Sequence, residues 1–278
     1  MIKSTPKTTG TLKLSVVRRD HQTVPDNVFF QGAFKLMRPQ YLDSTGQVMY
    51  CLLNPGGGYL DGDRYHLEVT VGANADLYLT AQSATKIYKT PDDCVRQVNK
   101  LTVGENGILE FTADPVIAFE NATYFQEQTI DLTPSSSLFI TDMVTPGWSR
   151  DGKGFQYNSV TLKTQISING HIRVIDNLVL NPAELAVQSM GMLETHTHYA
   201  GVYLIDPRIK TETEETLAQL LSERFPETAV GVSQLAIPGL AIRILGEHTQ
   251  EVKAVADACQ YFFRRQILKR DNELFQKY

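Results

Sequence analysis

A chain of 278 residues with 42% hydrophobic and 21% charged side chains has the make-up of an ordinary folded protein, long enough for one large core with a small helical cap. Its formal net charge of -5 leaves it without the basic field on which nucleic-acid affinity is built, and no apolar run approaches the roughly 18 residues of a membrane span. Polar at its start and carrying three widely spaced cysteines, Cys51, Cys94 and Cys259, it reads as a cytoplasmic protein with free thiols, without a signal peptide or the paired cysteines of a zinc or iron–sulfur site.

Residues 11–18 alternate as an opening strand. A segment with Phe29, Phe30, Phe34, Leu36 and Met37 follows, and apolar residues 50–53 form a strand that runs into a glycine-rich turn, NPGGGYLDGD, at 54–63. After this turn the chain repeats itself. Residues 69–81 read VTVGANADLYLTA, and 32 positions later residues 101–113 read LTVGENGILEFTA. A more decayed copy, LTPSSSLFITD, occupies 132–142, where Leu132 matches Val103, Leu138 matches Leu109 and Thr141 matches Thr112. Each copy is a strand, a turn and a strand, and units recurring at this interval across 64–142 are what stacked β-layers produce, each covering the apolar face of the last. Residues 113–124 should loop, because Pro115 lacks a donor and holds Asp114 extended.

The turn-rich stretch PGWSRDGKG at 146–154 precedes two strands, 155–168 and 171–180, joined at Asn169-Gly170, a strong hairpin signal. Residues 181–192 suit either a short helix or an extended piece, and 195–206 read as a strand. A helix is expected over 211–226, with Thr211 and Glu214 as its cap and Leu217, Leu220, Leu221 and Phe225 as its apolar stripe, ending at Pro226. Two short strands around Pro238-Gly239 lead to a second helix over 249–270, which buries Val252, Val255, Ala256, Cys259, Phe262, Phe263 and Ile267. Its last turns carry Arg264, Arg265, Lys269 and Arg270, which complement a helix C-terminus without a ligand. The expected fold is mainly β, a single domain over 1–278 of stacked or coiled β-layers (β-helix-like), with a small element of about two helices near the C-terminus.

Little in the chain announces chemistry. Gly56, Gly57, Gly58 and Gly62 suggest a phosphate loop, but Asp63 stands where phosphate needs a cation, and a strand rather than a helix follows, so neither nucleotide fingerprint is met. No tightly bound cofactor is expected. Asp61 and Asp63, on either side of Gly62, are metal ligands or plain turn formers. His196 and His198, two apart on one strand face with Glu194, could hold nickel or zinc, or be ordinary satisfied histidines. No nucleophile elbow is present. A carbohydrate-active β-helix enzyme would need paired carboxylates, for which Glu110 and Asp142 are the candidates.

The run GGYLDGD at 57–63, Ala75, Thr80, ATKIY at 84–88, Asp114-Pro115 with Phe119 and Ala122, Asp142 and Pro146-Gly147 together resemble the urease accessory protein UreD family, also called UreH. The resemblance covers nearly the whole chain. It implies a β-helix-like fold with two C-terminal helices and no catalytic activity. It also implies a place in urease maturation, in which the chain binds urease apoprotein and a UreF-like protein that recruits a UreG-like, nickel-carrying GTPase. Transient Ni2+ would pass through an interior lined by polar and acidic groups, around which Asp63, Thr85, Lys86 and Asp142 match family positions, with Gly57, Gly58 and Gly62 as structural residues of the turn. The chain departs from the family pattern at Ala113 and Ala118, where proline is usual, and at Trp148 and Lys153, so the loop at 145–155 is not carried over as a site. Few and weak ligands suit a metal that must be released; an adaptor that never touches nickel differs from this reading only in metal binding. The amphipathic final helix is a candidate docking element.

Overall fold

The computed structural model describes residues 8–270, so the ends of the expected 1–278 domain lie outside the described residues. The opening alternation forms an antiparallel hairpin of β1 (Gly10–Arg19) and β2 (Gln22–Gly32), followed by β3 (Lys35–Leu36) and β4 (Val48–Leu53). The repeated units then lay down three coils. The first contains β5 (Arg64–Val71), β6 (Asp76–Gln82) and the short β7 (Thr85–Ile87). The second contains β8 (Val95–Val103), β9 (Ile108–Thr112) and β10 (Val116–Ala118), and the third β11 (Thr123–Leu132) and β12 (Ser137–Val144). A hairpin of β13 (Ser159–Ile168) and β14 (His171–Leu180), then β15 (His198–Ile205), α1 (Thr211–Arg224), β16 (Ala229–Gln234), β17 (Gly239–Gly246) and α2 (Thr249–Phe262) complete the chain.

Two large sheets face each other. One runs β14-β13-β11-β8-β5-β1-β2 and the other β16-β17-β15-β12-β9-β6-β4-β3, with β7 and β10 forming a short third side. The repeat is the stack. Parallel pairing sets Val69 beside Leu101 and Leu101 beside Ile130, and in the second sheet it aligns Leu77, Leu109 and Leu138, then Thr80, Thr112 and Thr141. The two inner faces thereby share one buried core, in which each aliphatic side chain contributes about 1.5–3 kcal/mol. Stacking also explains the turn glycine: a β-carbon at Gly104 would lie 3.0 Å from the Ala73 nitrogen of the coil below.

Several local expectations are corrected. Residues 113–124 include β10, which is held to three residues after Pro115. The strand expected from 155 starts at Ser159, because Phe155 takes a left-handed conformation with φ 59°. Residues 181–192 are turns. Helix α1 is capped one residue earlier than expected: the Thr213 hydroxyl accepts from the Lys210 N–H at 3.0 Å, and Glu214 is not the reciprocal partner.

The final helix is α-helical only to Phe262, after which Phe263–Ile267 form a π-helical turn. Its wider winding re-aims the following side chains. Arg264 consequently points inward and is 1% exposed, and its Nε donates to Glu110 Oε2 at 2.8 Å. Gln260 and Gln47 also donate to Glu110, at 2.7 and 2.9 Å, and Arg270 pairs with Asp76. These arginines are therefore not free complements to a helix dipole. They bind the C-terminal segment to the outer face of the second sheet, where α1 and α2 bury their apolar stripes against Phe139, Val202, Ile242 and Ile244. That packing buries the apolar stripe of α2 expected from the sequence.

Candidate functional site

The inner face of the first sheet changes character along its strands. At the turn end it is aliphatic, whereas nearer the other end the register aligns Tyr65, Gln97 and Gln126 in one row, and Asn99, Gln128, Thr164 and Asp176 in the next. Asn99, Gln126, Gln128 and Thr164 are all buried. Such groups are tolerated inside a core only when they satisfy one another. Gln97 donates to Asn99 at 3.0 Å, Asn99 to Gln128 at 3.3 Å, and Gln128 to the Thr164 hydroxyl at 3.4 Å.

This seam has a carboxylate at each end. Asp63 accepts the Tyr65 hydroxyl at 3.0 Å, and the Tyr65 ring stacks on Tyr59 with centroids 3.7 Å apart. Tyr59 donates to Gln97 at 3.0 Å, Tyr124 donates to Gln97 at 3.4 Å and to Gln126 at 3.1 Å, and Gln126 Nε2 donates to Asp142 Oδ1 at 2.9 Å. Beside Asp142 is a small cavity with room for about one water molecule, lined by Thr164, Asp176, Tyr199, Gly201 and Tyr203 among others. Asp142 keeps some exposed surface toward this space, yet loss of bulk water pushes its pKa up to about 6, partly opposed by the Gln126 hydrogen bond and reinforced by the nearby Asp176 charge. Two of these lining residues are held by Arg243, whose Nη2 is 2.9 Å from Asp176 and 2.6 Å from the Tyr203 hydroxyl.

The sequence profile described as UreD urease accessory protein matches residues 8–276. The chain belongs to the UreD family. It is 37% identical over 272 residues, 97% of this chain and 98% of the relative, to the urease accessory protein UreD of Staphylococcus epidermidis (strain ATCC 12228 / FDA PCI 1200). The same identity and coverage relate it to the urease accessory protein UreD of Staphylococcus aureus (strain bovine RF122 / ET3-1). Family membership places it among the urease accessory proteins, with a general part in urease maturation. Among the described residues, no helix is long and apolar enough to cross a membrane.

In this UreD-family chain the sequence-expected residues fall into three groups. Asp63 and Asp142 lie on the seam. Asp61, Gly57, Gly58, Gly62, Thr85 and Lys86 belong to the turn architecture. Asp61 accepts the N–H groups of Asp92 and Asp93, each at 3.0 Å. Asp63 also accepts the Leu60 N–H at 2.7 Å and the Thr9 hydroxyl at 2.9 Å, so both aspartates form the turn. Gly57 and Gly62 both have φ 78°, where glycine is favoured. A β-carbon on Gly58 would come within 2.6 Å of the Tyr88 ring. Thr85 and Lys86 sit on β7, half-buried, where the Lys86 carbonyl accepts the Tyr59 N–H at 2.8 Å.

His196 and His198 form the third group, and the expected shared strand face is not there. His196 lies in the turn before β15 with Nδ1 3.2 Å from the Leu193 carbonyl, while His198 begins the strand with Nδ1 2.9 Å from the Thr197 hydroxyl. Burial lowers the His198 pKa. Glu194, in a left-handed conformation, accepts the Gly191 N–H. No three His, Cys, Asp or Glu side chains converge as a metal cluster among the described residues. The carboxylate pair of the enzyme reading is also separated: Glu110 faces the helices and Asp142 the interior, so the two cannot flank one glycosidic bond. Sequence reasoning missed Gln97, Asn99, Gln126, Gln128, Thr164 and Asp176. Their signal was polar residues at the inward parity of strands that are otherwise apolar on that side.

Proposed function

We propose that this chain is a urease maturation scaffold that binds urease apoprotein and a UreF-like protein, engages a UreG-like GTPase through that complex, and guides Ni2+ along its interior seam. The observation that carries this reading is the polar series, partly buried to buried, from Asp63 through Gln97 and Gln126 to Asp142. Amide and hydroxyl oxygens with few carboxylates, Asp142 and the arginine-paired Asp176 at one end, bind a borderline divalent cation weakly, which suits cargo that must be handed on. With a pKa of about 6, Asp142 is mostly ionised at pH 7 and supplies the attraction. The turn-forming bonds of Asp63 give it the supporting role of holding Tyr65 and Tyr59 at the other end.

The test is coexpression with UreF-like, UreG-like and urease proteins followed by size-exclusion chromatography. Co-elution in one complex is expected. Elution of this chain alone at every ratio overturns the scaffold reading.

A further inference from the structure

Strand β2 ends the first sheet: β1 pairs with one of its edges, and no strand among the described residues pairs with the other. The first part of that outer edge is closed. The Thr23 N–H donates to the Gly46 carbonyl at 2.9 Å, the Thr23 carbonyl accepts the Tyr41 hydroxyl at 2.9 Å, and Pro25 has no N–H to offer. The second part is open and apolar, with Val28, Phe29 and Phe30 42%, 45% and 39% exposed. Near its end the Ala33 N–H donates to the Thr9 carbonyl at 3.0 Å, so by strand alternation Asn27, Phe29 and Gln31 turn their backbone groups to β1, and those of Val28 and Phe30 point outward. Side chains alternate too: Val28 and Phe30 pair with the core residues Leu14 and Leu12, and Phe29 pairs with Lys13 on the outer face. Sheet edges are ordinarily guarded by charges, prolines or bulges. At the opposite end of this sheet β14 carries Arg173 and Asp176, whereas the guards of β2, Pro25 and the bulged Asp26, stop short of Asn27. Residues 27–32 read NVFFQG, without a charge.

We infer that this open edge pairs with the same edge of a second copy of the chain, antiparallel about a two-fold axis through Phe29. That register meets both alternations together. Val28 faces Phe30 of the second copy, and the two exchange the N–H and C=O groups left outward; Asn27 faces Gln31, and Phe29 faces its own counterpart as a close, non-hydrogen-bonded pair. Core-side residues meet core-side residues, and outer meet outer, as an isologous contact requires. A strand laid against itself ordinarily opposes like charges, which the uncharged run avoids, and the neighbouring Lys13 is neutralised by Glu68 at 3.0 Å. Lys35, whose Nζ lies 5.4 Å from the Phe30 centroid, belongs to β3 and not to the edge itself. Phe–Phe and Val–Phe are the kinds of cross-strand pair that hold a sheet together. The contact is independent of the proposed nickel passage.

The test is light scattering on the full chain at about 100 μM, because a contact one strand wide falls at the weak end of interface sizes. The mass should approach twice the 31.1 kDa of one chain and return to that of one chain on dilution by about a hundredfold. Phe29→Lys, which sets like charges opposite each other, should weaken association at least about tenfold and leave the melting temperature of the dilute chain unchanged. With the half-buried Cys94 replaced by serine and oxidised glutathione as oxidant, Phe29→Cys should cross-link to itself. Asn27→Cys and Gln31→Cys should each fail alone and cross-link when mixed. A single-chain mass at the higher concentration, or self-cross-linking of Gln31→Cys in place of Phe29→Cys, overturns the two-fold contact. A mass that rises only when UreF-like or urease protein is added, and that Phe29→Lys reduces, assigns the edge to that partner and overturns it as well. So does a mass that climbs past two chains, since an isologous pair closes on itself.

Discussion

Glu110 and Asp142 lie on adjacent strands of one sheet and point to opposite sides, Glu110 to a buried arginine under the helices and Asp142 to a glutamine of the facing sheet. Two carboxylates that looked equivalent in sequence thus have different surroundings, and their substitutions should differ in kind.

For Asp142 the expectation is a pH dependence. Its pKa is raised from the ordinary 3.8 to about 6, so the folded state holds the proton more tightly than the unfolded chain. The associated stability is present below about pH 4 and is lost as the pH rises through 6, by as much as about 3 kcal/mol at roughly 1.4 kcal/mol per pKa unit. Asp142→Asn, neutral throughout, should match wild type near pH 3, below the unfolded pKa, and melt at a higher temperature at pH 7. An equal difference in melting temperature at the two pH values would refute the assignment.

For Glu110 the partner matters more than the charge. The carboxylate and Arg264 are 0% and 1% exposed, so Arg264→Met strands a buried anion and should cost about 3–5 kcal/mol. Glu110→Leu combined with Arg264→Met removes the stranded charge and should recover a large part of the loss. Urea denaturation of the single and double variants measures this coupling, and a single-variant cost below about 1 kcal/mol would count against it.

Gly62 offers a backbone test. At φ 78° a β-branched residue is strained by about 1–3 kcal/mol. Gly62→Val should therefore lower soluble yield, and with it urease activity in cells supplied with nickel. Unchanged values for both would show the turn to be permissive.

The stack was legible because parallel pairing places equivalent residues side by side, so Leu138 and Leu109 or Thr141 and Thr112, matched in sequence, are neighbours in space. The seam was not. Gln97, Asn99, Gln126 and Gln128 alternate with residues such as Arg96, Val98 and Glu127 that are also polar or half-exposed, so composition alone does not say which set faces in. Arg264 was misread for a different reason: helical periodicity holds up to Phe262, and the π-turn that follows sends the arginine inward. The histidines were misread because strand parity was extended two residues beyond the start of β15.

The seam itself is tested by nickel per urease, measured together with thermal stability and copurified UreF-like partner for Asp142→Ala and Asp63→Ala. Asp63 accepts three hydrogen bonds, so its alanine variant should lose about 1 kcal/mol or more, with complex yield and nickel falling together. Asp142→Ala should instead keep its fold at pH 7 and its partner while the nickel content of urease drops. Normal nickel loading in Asp142→Ala, or a loss of stability, partner and nickel in parallel, would contradict the proposed passage.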